Sequence, residues 1–400
     1  MFIEFLIVII FGILIGTITG LIPGIHINLV AIIVLSLTPF LLNYINPITI
    51  AIFIISMAIT HSFLDFIPSI FLGAPEPGTA LSVLPGHKLL LQGRAYEAIK
   101  LTVIGSLCGL LIAIALTPFF IITLQNIYST IKNYIAYLLI LASLLIIIKD
   151  KKRHWAFITF LLSGILGIIV LKLVILKEPL FPLLSGLFGT SALVLSYSQK
   201  VKIPKQIITQ TNVKQKTIIK SLSSSLIAGS ICSFMPGLGP AQAAILGSQI
   251  LGKIGKKGFL ILVGSLSIVD IIISFVTLYT LGRARNGAIV AISQILENFN
   301  FNHLLLFLGS SLIAGAFATI LALKFGIIFS KMISNVNYPI LCLTIISLIT
   351  TLVLIFSGPL GLLVLFTSTM IGLIPQLTNT GRNHLMGCLV LPVIIFFLSY

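Results

Sequence analysis

Apolar residues fill this chain in long, nearly unbroken blocks. The interruptions are short and polar, or rich in Gly and Pro. The blocks do not alternate residue by residue, which excludes a transmembrane β-barrel. In the first half they cover 2–20, 25–42, 49–72, 98–124, 134–148, 155–176 and 180–198. In the second half they cover 218–235, 240–252, 258–281, 302–323, 338–356, 361–377 and 385–400. A helix needs about 20 apolar residues to cross a bilayer, so most of these blocks predict spans. Between the halves runs Gln199–Lys220, a polar stretch with six Lys and one Pro. Segments 75–90 and 283–298 are too polar or too rich in Gly and Pro to cross, and are expected to be re-entrant or interfacial.

The halves resemble each other in order. Gly16, Pro23 and Gly24 recur as Gly229, Pro236 and Gly237. Asp65 and Ser69 recur as Asp270 and Ser274. Gly105-Ser106 recurs as Gly309-Ser310, Tyr134 as Tyr338, and Gly186 as Gly387. Charge then sets their relative orientation. The loops Lys149–Arg153 and Lys253–Lys257 are basic, while their counterparts around Ser357-Gly358 and Leu42–Pro47 are neutral. Basic loops mark the cytoplasmic side, so equivalent loops lie on opposite faces. The predicted fold is an all-α polytopic membrane protein of two inverted-topology repeats. Helices are broken at Pro-Gly, with roughly 10–14 transmembrane segments plus re-entrant elements. Residues 1–198 form the first repeat, 199–217 a basic cytoplasmic linker and 218–400 the second repeat, with both termini outside.

Composition narrows this further. The 400 residues are 58% hydrophobic and 8% charged, against about 25% charged in soluble domains, which excludes a soluble globule. The net charge of +16 sits mainly in short loops. It reads as a topology signal and a contact for anionic membrane lipids, and does not suggest nucleic acid. Cys108, Cys232, Cys342 and Cys388 are scattered without CxxC spacing, as small core residues are. The start, MFIEFLIVII, lacks a basic region and a small-residue cleavage site, so a first helix is expected rather than a cleaved leader.

Breaking a helix inside a membrane frees backbone groups that cannot face lipid. Such breaks are tolerated where they are buried in protein or line a wet cavity. The segments around Gly20, Pro23 and Gly24 and around Pro236, Gly237 and Gly239 are such breaks. A helix restarting after each would aim free N–H groups into the protein, a ready anion site. His26, Asn28 and Gln242 fall in those first turns. The competing reading is a Pro kink with Gly for close helix packing. The second constellation is Asp65 with Ser69 and Asp270 with Ser274, a helical turn apart inside apolar runs. Such acids can carry a coupling proton or Na+. They can also be structural, hydrogen-bonded to a neighbouring helix or paired with a buried Arg. His61, one turn before Asp65, is a candidate partner or proton relay.

The third is the turn GAPEPGT, with Glu76, Gly78 and Thr79, whose counterpart holds Arg283 and Arg285. The charge rule places the Arg pair on the external face, where basic residues are disfavoured, so burial in the fold is expected. Those guanidiniums suit a carboxylate or phosphate, or an ion pair with Glu76. The polar cluster NTGRNH, Asn379–His384, reads as a gate or a cytoplasmic loop. No metal site, catalytic residue or cofactor is indicated, apart from a coupling Na+ or H+.

The stretches GLIPGIHINLVA, HSFLDFIPSIFLGAPEPGTALSVLPGHKLLLQGRAYEA, FPLLSGLFG, FMPGLGPAQAA, SLSIVDIIIS and LMGCLVLP together resemble the large membrane subunit of the tripartite tricarboxylate transporters. The likeness covers nearly the whole chain and is nearer to the archaeal-type branch. It implies a multi-pass permease of the cell membrane for carboxylates, with a small membrane subunit and a substrate-binding protein as partners. Two departures stand out. Ile25-His26 occupies a place where the bacterial pattern usually has a further Gly, and GAPEPGT replaces a shorter Asn-Thr-Pro-Gly-type turn.

The leading reading is therefore a secondary active transporter, not an enzyme, moving a small organic anion by H+ or Na+ symport and alternating access. A homo-oligomer is compatible with it. No Walker A loop is present to use ATP directly. A flippase for a polyprenyl-phosphate or other anionic lipid is the alternative, since broken helices and an Arg pair suit phosphate too. An intramembrane aspartyl protease is a minor alternative, because the aspartates lack a Gly-x-Gly-Asp context.

Overall fold

The computed structural model describes residues 2–22, 27–73, 83–131, 134–176, 179–198, 203–208, 211–234, 240–250, 252, 254–284, 286–296, 298–333 and 338–399. The first half contains α1 (Phe2–Leu21), α2 (Ile27–Leu41), α3 (Pro47–Leu64), α4 (Phe66–Phe71), α5 (Val83–Leu90), α6 (Ala95–Ala115), α7 (Thr117–Ile131), α8 (Ile135–Lys149) and α9 (Arg153–Lys172). It closes with α10 (Leu180–Leu184), a π-helical turn (Ser185–Thr190) and α11 (Ser191–Ser198). The second half contains α12 (Gln215–Phe234), α13 (Pro240–Ile250), α14 (Gly255–Leu281), α15 (Gly287–Ile295), α16 (Phe301–Ile333) and α17 (Tyr338–Leu377). A 3-10 turn (Arg382–Met386) and α18 (Gly387–Leu398) end it. No strand occurs among the described residues. Eight helices there are long and apolar enough to cross a membrane, counting α3–α4 as one and α10–α11 as one.

Proline and glycine explain where the halves differ. Pro68 has no N–H to give the Leu64 carbonyl. The expected segment 49–72 accordingly breaks at Asp65 into α3 and α4, and the Ser69 N–H reaches the Asp65 carbonyl at 3.4 Å. Its counterpart α14 has no proline and runs unbroken for 27 residues. Pro118 likewise separates α6 from α7, whereas α16 continues for 33 residues. Two blocks of the second half meet at Gly358, where φ is +69°, a conformation that favours glycine, and the following Pro359 restarts the helix. The segments expected not to cross contain α5 and α15. At eight and nine residues each is only about 12–14 Å long.

The molecule is built around α3–α4 and α14. In each, 94% of the most apolar window is buried, more than in any other candidate span. Each is held on one side by a helix of its own half, α1 on α3 and α12 on α14, and on another by a helix of the other half, α16 on α3 and α6 on α14. Small residues make these approaches. Gly12, Gly16 and Gly20 line α1 where it meets α3, and a Cβ added at Gly16 would come within 2.5 Å of the Met57 carbonyl oxygen. Ser225 Oγ donates to Ser265 Oγ across α12 and α14 at 2.6 Å. Where α6 crosses α14, Gly105, Gly109 and Gly264 leave no room for side chains, and Ser106 Oγ donates to the Gly264 carbonyl at 3.1 Å. Close backbone approach is the usual way helices pack tightly in lipid, where both sides are equally apolar.

The basic connections gather at one end of the bundle. The Ile207 N–H donates to the Gly93 carbonyl at 2.7 Å and Lys257 Nζ to the Asn212 carbonyl at 3.0 Å. Lys152 Nζ reaches the Thr378 carbonyl at 2.7 Å. Leu91, just past α5, and Asn379, just past α17, line a common cavity. Glu97, fully buried, is bridged by Arg94 at 2.5 Å and Lys257 at 2.7 Å. That triad ties the start of α6 to the start of α14 across the two halves.

Candidate functional site

Several expected site residues, Pro23, Gly24, His26, Glu76, Gly78, Thr79, Pro236, Gly237, Gly239 and Arg285, lie outside the described residues. Asn28 and Gln242 are placed as backbone positions, in the first turns of α2 and α13. Both helices begin three residues past the glycine of the Pro-Gly pair, so helix restarts in the same register in the two halves.

Gly20, Asp65, Ser69, Asp270 and Ser274 are all buried. Asp65 sits at the break between α3 and α4. Gly20 packs on the turn just before it, with room for a Cβ only 2.9 Å from the His61 carbonyl oxygen and 3.0 Å from Leu64 Cβ. In the other half Gly229 packs on Val269, the residue immediately before Asp270, where an added Cβ would come within 2.7 Å of Val269 Cγ1. In both halves, then, the helix that leads into the Pro-Gly segment touches the residue that precedes the aspartate. Gly20 acts there by allowing close approach.

His61 is 1% exposed and its Nδ1 meets Thr19 Oγ1 of α1 at 3.1 Å. This contact fastens α1 to α3 one turn before Asp65. Asp270 Oδ2 accepts from Asn286 Nδ2 at 3.2 Å, and the Asn286 side-chain oxygen caps α15 by accepting from the Ala288 N–H at 3.1 Å. Since α15 packs against α2 and α3, Asn286 links the Asp270 region to the arm that follows the first Pro-Gly. Ser274 Oγ is buried one turn beyond Asp270, with no hydrogen-bond partner among the described residues.

One expectation is corrected. Arg283, expected to be buried, is exposed. Gly282 closes α14 in the left-handed conformation, with φ +62°, and this cap turns the chain away from the core immediately before Arg283.

A second polar network lies at the basic end. The cluster Asn379–His384 is more than a loop: His384 is buried and its Nε2 meets Asp150 Oδ2 at 2.9 Å. The same oxygen accepts from the Gly381 N–H at 3.1 Å, and Asp150 Oδ1 accepts from the Lys152 N–H at 2.9 Å. Burial alone would raise the Asp150 pKa. The hydrogen bonds from Lys152, His384 and Gly381 outweigh it and hold the carboxyl below its ordinary value. Arg382 donates to the Phe188 carbonyl at 2.6 Å, inside the π-helical turn.

Sequence reasoning missed Asn286 and noted Arg382 only as part of the polar cluster Asn379–His384. An Asn followed by Gly-Ala-Ile-Val is a helix-start signal, but nothing in the sequence says that it reaches Asp270. Arg382 matters through a carbonyl exposed by a π turn, a feature with no residue signature.

The decisive comparison concerns the whole chain. A model of the tripartite tricarboxylate transporter TctA family matches residues 6–387. The chain belongs to that family. TctA-family proteins are components of transporters rather than enzymes, which agrees with the multi-pass helical fold. The TctA-family chain is also 34% identical over 404 residues to an uncharacterised protein of Methanocaldococcus jannaschii, covering 98% of this chain and 99% of that relative. No solved structure matches it.

Proposed function

We propose that this TctA-family protein is a secondary active permease for a small organic anion, a carboxylate, coupled to H+ or Na+ through alternating access. One observation carries the reading. In each half, the helix entering a Pro-Gly segment packs on the residue before a buried aspartate of one of the two most buried helices. The helix restarts after Pro-Gly supply N–H groups and positive dipole ends for an anion. The aspartates, with Ser69 and Ser274 one turn on, supply acceptors for the coupling ion. Exchange of helices between halves, α3 with α16 and α14 with α6, supports a repeat whose parts rock against each other. The collection of basic loops at one end supports an orientation with that end and linker 199–217 in the cytoplasm and both termini outside. The family name supports a small membrane subunit and a substrate-binding protein as partners.

In proteoliposomes, Asp65→Asn and Asp270→Asn are expected to lose gradient-driven accumulation of labelled carboxylate while keeping carboxylate exchange. Gradient-driven accumulation at the wild-type rate in both single variants and in the double variant contradicts the coupling role.

A further inference from the structure

A cavity of about 460 Å³ opens between α5, the end of α11 and the turn that follows α17. It lies apart from Asp65 and Asp270, at the basic end of the bundle, and neither aspartate lines it. Its polar lining includes His87, Lys88, Ser196, Gln376, Asn379 and Arg382, and no carboxylate appears among the described lining residues. The volume falls within the range usual for small-molecule sites.

Three features bear on what it holds. Arg382 uses one terminal nitrogen on the Phe188 carbonyl at 2.6 Å and, more weakly, on Ser191 Oγ at 3.4 Å. Its Nε is buried and has no hydrogen-bond partner among the described residues, and no described carboxylate pairs with it. A buried guanidinium without an anionic partner is costly, and an anion in the cavity, which Arg382 lines, would supply one. Asn379 has φ +56°, the one described residue other than glycine with a positive φ. Backbone held in that region recurs at ligand clamps, and here it directs the 379–382 turn along the cavity wall. Burial, and then the charge of Arg382, lower the His87 pKa from 6.5 to about 4. The imidazole is thus a neutral neighbour of the guanidinium near pH 7.

We propose that this cavity is a second anion site, for a small dianion bearing carboxylate or phosphate oxygens, gripped by Arg382 and Lys88 with the amides of Gln376 and Asn379. Residues of α5 and α11 belong to the first half and residues 376–382 to the second, so a bound dianion bridges the halves at this end. The proposal does not depend on the transport reading, because it concerns binding alone.

The test is calorimetric titration of the full-length protein with citrate, inorganic phosphate and a short-chain phosphatidate. Saturable binding is expected, weakened on the order of tenfold by Lys88→Gln, the loss of one charge-assisted hydrogen bond. Arg382→Gln should weaken it further. Lys88 is exposed, so its variant carries the test even where Arg382→Gln fails to fold. Binding of phosphatidate but not of the soluble anions, still sensitive to Lys88→Gln, supports the site and names a lipid headgroup as the source of the oxygens. No saturable binding of any probe, or binding unaffected by Lys88→Gln, overturns the proposal.

Discussion

The residues with the largest consequences are those whose charge or polarity the fold has to accommodate. His87 is the clearest case, because its pKa is lowered from 6.5 to about 4. Between those values the unfolded chain takes up a proton that the folded protein refuses, so stability rises with pH across this window. The contribution is complete above pH 6.5 and is lost as the pH falls toward 4. Thermal unfolding of the wild type is expected to show a lower midpoint at pH 5 than at pH 7, with a smaller difference in His87→Gln. An identical pH dependence in the two proteins contradicts the assignment. At this scale Asp65 and Asp270 were legible in the sequence, since an acid inside an apolar run stands out. Their surroundings were not. Asp270 is met by Asn286, 16 residues on and beyond the end of its own helix, and single-sequence patterning carries no such information.

At the scale of elements, helix breaks and close crossings decide the architecture. Pro68, Pro118 and Gly358 account for the breaks, and each could be read from the sequence once its neighbours were known to be helical. The crossings were less legible. Gly105-Ser106 and Gly309-Ser310 match as sequence, yet Gly105 lies against the α14 backbone while Gly309 has open space where a Cβ would be. Identity within a repeat therefore does not ensure identity of role. Gly264→Ala would drive a methyl group into the Thr102 backbone and is expected to cost about 1–3 kcal/mol as overpacking. Gly309→Ala, on an open helical surface, is expected to be neutral or stabilising by up to about 1 kcal/mol. Unfolding of the two variants in detergent checks this contrast, and equal destabilisation would remove the assigned difference between the two glycines.

For the molecule as a whole, the two halves are interlocked. Each aspartate-bearing helix is packed by the other half, and at the basic end the halves are joined by Glu97 with Arg94 and Lys257. Glu97 is fully buried, so removing Lys257 leaves its carboxylate with Arg94 as the remaining partner. Lys257→Gln is expected to cost about 1–3 kcal/mol, toward the low end because the Lys257 side chain is 34% exposed and screened by solvent. Adding Glu97→Gln should recover part of the loss, as a thermal-stability cycle of the four proteins would show. Additive losses would mean that the pair does not couple the halves. Ordered matches such as Asp65 with Asp270 were visible in the sequence. How the two halves of the chain pack together was not, because it depends on which apolar faces meet, and most faces of these helices are apolar.

The central claim, an ion-coupled permease for small carboxylates, is tested most directly by uptake into proteoliposomes containing the purified chain. Labelled di- and tricarboxylates would be presented with inward H+ or Na+ gradients, alone and with any co-purified small subunit. Accumulation of at least one carboxylate above its external concentration is expected, abolished when the gradient is collapsed by an ionophore. Equilibration without accumulation, or no carboxylate entry under either gradient by a correctly folded protein, would contradict it.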